Sequence, residues 1–247
     1  MKKKLIIFDL DNTLFKSKDS YKYIIAEILK ERWNIDPELA AISHQNAGKE
    51  MKDTKEYPSL KEFYKEFNLK FLKKIIKNPT EKQVKEFDKI LEYMKELVPI
   101  KLKTYENVLE VLTNLKKKGY KLAILTGTWE KKIKSFEDPK YAQKKKEILE
   151  KLLKNSLLDK IIDKLFITYE YSIVKPNPES FKIVLKYFGV KPSEAIMVGD
   201  KEADLLASKI GISPILFDPK NKYDGKTTPD YTITHFLELE PIIENYN

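Results

Sequence analysis

Leu5-Ile6-Ile7-Phe8-Asp9-Leu10-Asp11-Asn12-Thr13-Leu14 carries four apolar residues straight into two carboxylates and a threonine. An apolar run with no polar side reads as a strand buried on both faces. Side chains two apart on an extended chain point the same way, so Asp9 and Asp11 face one point beyond the strand's end. Two carboxylates that close repel each other, and charge at the end of a buried strand is costly. A cation relieves both problems, and a hard, oxygen-seeking one such as Mg²⁺ suits carboxylates best. Taken alone, the stretch also reads as a strand ending in a polar turn, with the Asp pair capping a helix.

The rest of the chain separates these readings. From about Ser20 to Leu97 the pattern is helical. Tyr21, Ile24, Ile25, Ile28 and Leu29 recur at helix spacing up to Asn34 and Pro37, and Leu60, Phe63, Tyr64, Phe67, Phe71 and Leu72 do so after Pro58-Ser59. Thr80 with Gln83 reads as a capping box before the stripe Val84, Phe87, Ile90, Leu91, Met94. These helices predict a small bundle closed by Pro99, with His44–Lys49 as a polar loop between helices. Alternation then resumes. A helix over 106–118 leads to the strand Leu122–Thr126 and Gly127. A basic helix is expected over 131–158, densest at Lys144-Lys145-Lys146, followed by a strand at Leu165–Thr168. Val174-Lys175-Pro176 precedes a helix over 179–187. Ala195–Gly199 runs as a strand into Asp200 and Asp204, Pro214–Phe217 is a further strand, and Tyr231–Thr234 a short edge strand. Strands alternating with helices predict an α/β fold, a parallel sheet covered on both faces. Ligands of such sheets sit beyond the carboxyl ends of the strands, where Asp9/Asp11, Thr126/Gly127 and Asp200/Asp204 converge, with Lys175 to join them.

Composition bounds the chemistry. The chain has 247 residues, enough for a core domain and an insert. There is no cysteine, which removes disulfides, thiolate catalysis and Cys-ligated zinc, and two distant histidines argue against a His metal site or a Ser-His-Asp triad. The net charge of +9 suggests nucleic acid, but lysine and glutamate alternate along the helices as on a solvated surface, and no aromatic-basic reader motif is present. Heavy Lys/Glu/Ile use is that of a thermophilic protein or of an AT-rich genome. Met1–Phe8 has the basic end and apolar run of an export signal, yet Asp9 and Asp11 interrupt it after four residues, and no window approaches a membrane span. A cytoplasmic protein is expected.

Carboxylates, a lysine and a hydroxyl together suit a metal and a multiply charged anion. Asp9 is placed to attack phosphorus and form an aspartyl-phosphate. Mg²⁺ on Asp9 and Asp200, with Lys175, would offset the repulsion and stabilise the transferring group. Thr126 and the Gly127 amide are candidates to bind phosphate oxygens, and Asp11 to act as general acid and then base.

The four motifs, Asp9-Leu10-Asp11-Asn12-Thr13, Thr126-Gly127, Lys175 before proline, and Gly199-Asp200 with Asp204, resemble in order those of the haloacid dehalogenase-like (HAD) superfamily, in its Mg²⁺-dependent phosphatase branch. The likeness runs from about Lys4 to Phe217. It implies a Rossmann-like core (1–16 and 99–247) with a helical cap (17–98) that closes over small substrates. It also implies Asp9 as nucleophile, Asp11 as acid/base, and Mg²⁺ on Asp9, the Asp11 main-chain carbonyl and Asp200, with Asp204 supporting through water or hydrogen bonds. The dehalogenases lack a carboxylate at the position of Asp11. Gly127 stands where relatives often have Asn, and the stretch from Thr126 to Lys175 is long for the helical-cap subfamily, leaving its basic helix as an extra lid, an oligomer contact or a surface helix. The implied activity is phosphatase on a small phosphorylated metabolite, in a monomer or homodimer without membrane. A phosphosugar mutase and a non-catalytic nucleic-acid-associated protein are the alternatives. Arg32, His44, Asn46, Lys49 and Trp129 are further candidates for substrate contact.

Overall fold

Leu5–Phe8 forms β1, and every one of its side chains is fully buried, because a parallel neighbour hydrogen-bonds along each edge and helices cover each face. The computed structural model describes residues 2–52, 57–127, 133–135 and 139–246. Along the chain follow α1 (Ser17–Trp33), α2 (Pro37–Lys52), β2 (Tyr57–Ser59), α3 (Leu60–Ile75), α4 (Glu81–Lys101), α5 (Val108–Lys117), β3 (Lys121–Thr126), β4 (Ile133–Ser135), α6 (Pro139–Asn155), β5 (Lys164–Ile167), α7 (Pro178–Phe188), β6 (Ala195–Gly199), α8 (Glu202–Leu205), β7 (Ser213–Phe217), β8 (Tyr231–Ile233) and α9 (Leu239–Asn245). The chain divides into two compact units: Met1–Lys16 with Lys103–Trp129 and Leu153–Asn247, and Ser17–Leu102 with Glu130–Leu152. The second takes in residues 130–152, which the sequence assigns to the core.

The first unit is an α/β, Rossmann-like layer structure. Its six-stranded sheet has the order β5-β3-β1-β6-β7-β8, all neighbours parallel. Leu5 and Ile7 point to one face, where they join Leu125, Met197 and the α7 residues Phe181, Val184 and Leu185 in one core cluster. Val111, Leu112 and Leu115 of α5, fully buried, follow the helical period beside α9 and β3. Each such aliphatic or aromatic side chain contributes about 1.5–3 kcal/mol on burial. The register aligns Phe8 with Ile124 and Val198, so β6 runs one residue and β3 two residues beyond the end of β1. Asp9 N–H donates to Val198 O at 2.9 Å and carries the ladder one residue further.

The second unit is helical. α1 packs on α2 and α4, and α3 packs on α2 and α4. Thr80 accepts from Gln83 N–H in the expected capping box, and Ser59 caps α3. Three expectations fail here. The polar run His44–Lys49 lies inside α2, whose buried stripe is Ala40, Ser43, Ala47 and Met51, residues too small or polar to register as an apolar face. Pro99 lies within α4, the burial of Val98 and Pro99 offsetting its missing N–H. Residues 131–158 are not one helix: 133–135 form β4, paired parallel with β2, and α6 begins at Pro139.

His44 meets the edges of Phe67 and Phe71 at 5.3 Å each, and burial pushes its imidazole down to about 4. The unfolded chain takes up a proton near pH 6.5 while the folded one does not. Stability is therefore fully present above pH 6.5 and lost as pH falls toward 4, by about 3 kcal/mol at most. Denaturant unfolding across that range will show this loss in the wild type and a smaller one in His44→Met. Equal slopes would contradict it.

Candidate active site

The candidate site is built from strand ends of the sheet unit alone. Asp9 directly follows β1 and is 1% exposed. Asp11 follows in a tight turn, where Asn12 takes a left-handed φ of 62°, a conformation asparagine tolerates, and its N–H donates to Phe15 O at 2.8 Å. Thr126 ends β3, buried, with Gly127 next. Asp200 follows β6, and Asp204 lies one turn on, in α8, fully buried. The last residue of β6 must be Gly199, since a Cβ there would fall inside the Asp204 side chain.

Lys175, in the segment before α7 and joined to Pro176 by a cis peptide bond, ties these ends together. Its ammonium donates to Asp9 Oδ1, to Asp204 Oδ1 at 2.6 Å and to Leu125 O at 2.9 Å, with the side chain only 2% exposed. Burial works against charge on Asp9, but Lys175 and Lys201 outweigh it and hold that carboxyl below its ordinary range. The other two acids go the opposite way. Burial, aided by Asp9 and Asp204 against the pull of Lys201 and Lys175, pushes Asp200 up to about 7. Burial and Asp9 raise Asp204 against the pull of Lys175 and Lys201.

One oxygen from each of Asp9, Asp200 and Asp204 falls within 4.8 Å of the others. Asp9 Oδ2, Asp200 Oδ1, Asp204 Oδ2 and Asp11 Oδ1 are buried without a hydrogen bond among the described residues. Orphaned, mutually repelling carboxylate oxygens are the donor set of a hard divalent cation, so these residues fit one.

Two residues here went unmarked in the sequence. Thr168, just after β5, is 1% exposed with no hydrogen bond to its Oγ1 among the described residues, and it backs Gly127: a Cβ at 127 would meet Thr168 Oγ1 at 3.0 Å. Its only signal is a polar residue ending an apolar strand beside β3. Lys201 brings its ammonium to 3.6 Å from Asp9 Oδ2 and 3.9 Å from Asp200 Oδ1. It is one of 47 basic residues, and nothing but its place after Asp200 distinguishes it. Of the further candidates, Arg32 stacks on the Tyr93 ring at 4.9 Å, and His44, Asn46 and Lys49 are carried by α2. Trp129 lies outside the described residues.

The profile of haloacid dehalogenase-like hydrolases matches residues 3–210. Pyrophosphatase PpaX of Bacillus cereus (strain AH820) is 30% identical over 147 residues, 58% of this chain and 61% of the relative. The chain thus spans about three-fifths of the length of that relative. Two solved structures share the fold: the HAD phosphatase from Thermococcus onnurineus, 22% identical over 97% of each chain with a TM-score of 0.62, and the putative HAD-hydrolase YfnB from Bacillus subtilis, bound to magnesium, 16% identical over 98% of this chain and 99% of its own with a TM-score of 0.74. No helix among the described residues is long and apolar enough to cross a membrane. With the profile covering most of the sheet unit and all the strand-end residues, the chain belongs to the haloacid dehalogenase-like hydrolase family.

Proposed function

We propose that the protein is a Mg²⁺-dependent phosphatase that hydrolyses a small phosphorylated metabolite through an aspartyl-phosphate on Asp9. The supporting observation is the buried Asp9–Lys175–Asp204 array, which keeps Asp9 ionised at the end of a central strand beside the orphaned oxygens of Asp11, Asp200 and Asp204. An ionised carboxylate that cannot be solvated is a competent nucleophile toward phosphorus.

Asp9 forms the new bond to phosphorus as the ester P–O bond breaks, and Asp11 gives its proton to the departing alkoxide. Asp11 then takes a proton from the water that attacks the aspartyl-phosphate, releasing inorganic phosphate and restoring Asp9. Thr126 and the Gly127 amide bind the phosphoryl oxygens, Thr168 adds a hydroxyl behind Gly127, and Lys175, its three donors given to Asp9, Asp204 and the Leu125 carbonyl, holds Asp9 in place and adds positive charge beside it. Asp9, the Asp11 main-chain carbonyl and Asp200, with Asp204 in support, would hold Mg²⁺, which would supply positive charge to the transferring group. The helical unit is read as the cap that selects the substrate, and the protein as cytoplasmic, a monomer or homodimer.

Because a matched relative is named a pyrophosphatase, pyrophosphate belongs among the candidate substrates. The test is inorganic phosphate release from a panel of phosphomonoesters and pyrophosphate. Release is expected with Mg²⁺, to stop in chelator and to return with added metal. Release undiminished in chelator would remove the metal, and no release from any compound would overturn the phosphatase reading.

A further inference from the structure

The acidic cluster faces two lysines held in contrasting ways. Lys175 is sealed in, its ammonium bonded to two carboxylates and a main-chain carbonyl. Lys201 is 42% exposed, and its ammonium stands at 3.6 and 3.9 Å from Asp9 Oδ2 and Asp200 Oδ1, in ion-pair range but beyond hydrogen-bond length. Those are two of the oxygens that accept no hydrogen bond among the described residues. They are also atoms of the carboxylates that fit a divalent ion. A divalent ion on these oxygens would stand close to the Lys201 ammonium, and like charges at such range repel strongly. Lys175 has nowhere to go, whereas a half-exposed lysine on a flexible four-carbon stem retreats into water at small cost.

We infer that Lys201 is an exchangeable counter-ion. It neutralises Asp9 and Asp200 in the metal-free protein and gives way to the divalent ion, so it weakens metal affinity while protecting the metal-free fold. Lys201 is thus a positioning residue acting through Asp9 and Asp200, and the inference rests on reading those two as metal ligands.

The test is Mg²⁺ binding to the full chain, measured by calorimetry and by the rise in Tm with added Mg²⁺, for wild type, Lys201→Met and Lys201→Arg. Lys201→Met is expected to bind Mg²⁺ about tenfold more tightly, the size of two long ion pairs made by one partly exposed lysine and removed together, and to melt lower without metal. Lys201→Arg keeps the charge and is expected to stay close to wild type on both readouts. If Lys201→Met does not fold, Lys201→Gln is read in the same way. Unchanged or weaker Mg²⁺ binding by the neutral variant, with the wild type binding, overturns this inference alone. No binding by the wild type overturns the metal assignment and the inference with it.

Discussion

Asp9→Asn is expected to lose phosphate release by about 10⁴-fold or more, the scale on which a nucleophile's removal is felt, while the protein stays folded. The side chains are nearly isosteric, so the ends of β1, β3 and β6 keep their packing. The substitution removes the charge that Lys175 and Lys201 stabilise, but also the charge that pushes Asp200 and Asp204 up, and the two effects oppose each other. The amide oxygen still accepts from Lys175, whereas the amide nitrogen is a poor neighbour for Lys201. A modest change in Tm is therefore expected beside a near-total loss of turnover. Circular dichroism and phosphate release on the same samples test this. A folded Asp9→Asn with full activity would sink the aspartyl-phosphate mechanism.

What the sequence displays and what it hides follow from the range of the forces involved. β1, β3 and β6 are buried on both faces, so each is a continuous apolar run ended by a polar residue, and a local reading finds both strand and end. The meeting of Asp9, Thr126, Asp200 and Asp204 follows from that, because parallel strands in register deliver the residues at their carboxyl ends to one end of the sheet, and Lys175 reaches them from the segment before α7. β4 is three residues long and exists through pairing with β2, far away in sequence, so no local period announces it. α2 hides for another reason: its stripe is made of Ala40, Ser43, Ala47 and Met51, with His44 alongside, and helix packing at close range rewards small residues that hydropathy scores as neutral. Lys201 and Thr168 are ordinary residues given meaning by neighbours. Lys201 is legible only once Asp9 and Asp200 are known to lie together, and Thr168 only once β5 is known to pair with β3.

Lys175→Met is expected to cost stability on a scale set by burial. The methionine matches the lysine stem in shape, so cavity formation is a small contribution. What remains is Asp9 and Asp204 facing each other at almost no exposure, with the Leu125 carbonyl also losing its donor. Breaking a buried ion pair by removing one partner costs about 3–5 kcal/mol, and this lysine serves two acids. The chain has two ways out, and each is measurable. The first is protonation. Asp204 already lies above its ordinary range, and losing Lys175 removes the strongest influence holding it down. A carboxyl raised in the folded state binds protons there that the unfolded chain does not, so stability rises as pH falls through the window between the two values. The deficit of Lys175→Met against wild type should therefore be largest near pH 8 and shrink toward pH 5. The second is a cation: added Mg²⁺ should recover part of the loss at pH 8, since Asp9 and Asp204 both belong to the cluster that fits it. Turnover should stay low at either pH, because a protonated or metal-bridged pair no longer presents Asp9 as it stands in the wild type. Unfolding curves at the two pH values, with chelator and with Mg²⁺, test this. A deficit that ignores both pH and metal would mean that the lysine stem stabilises the fold through packing and its charge does not.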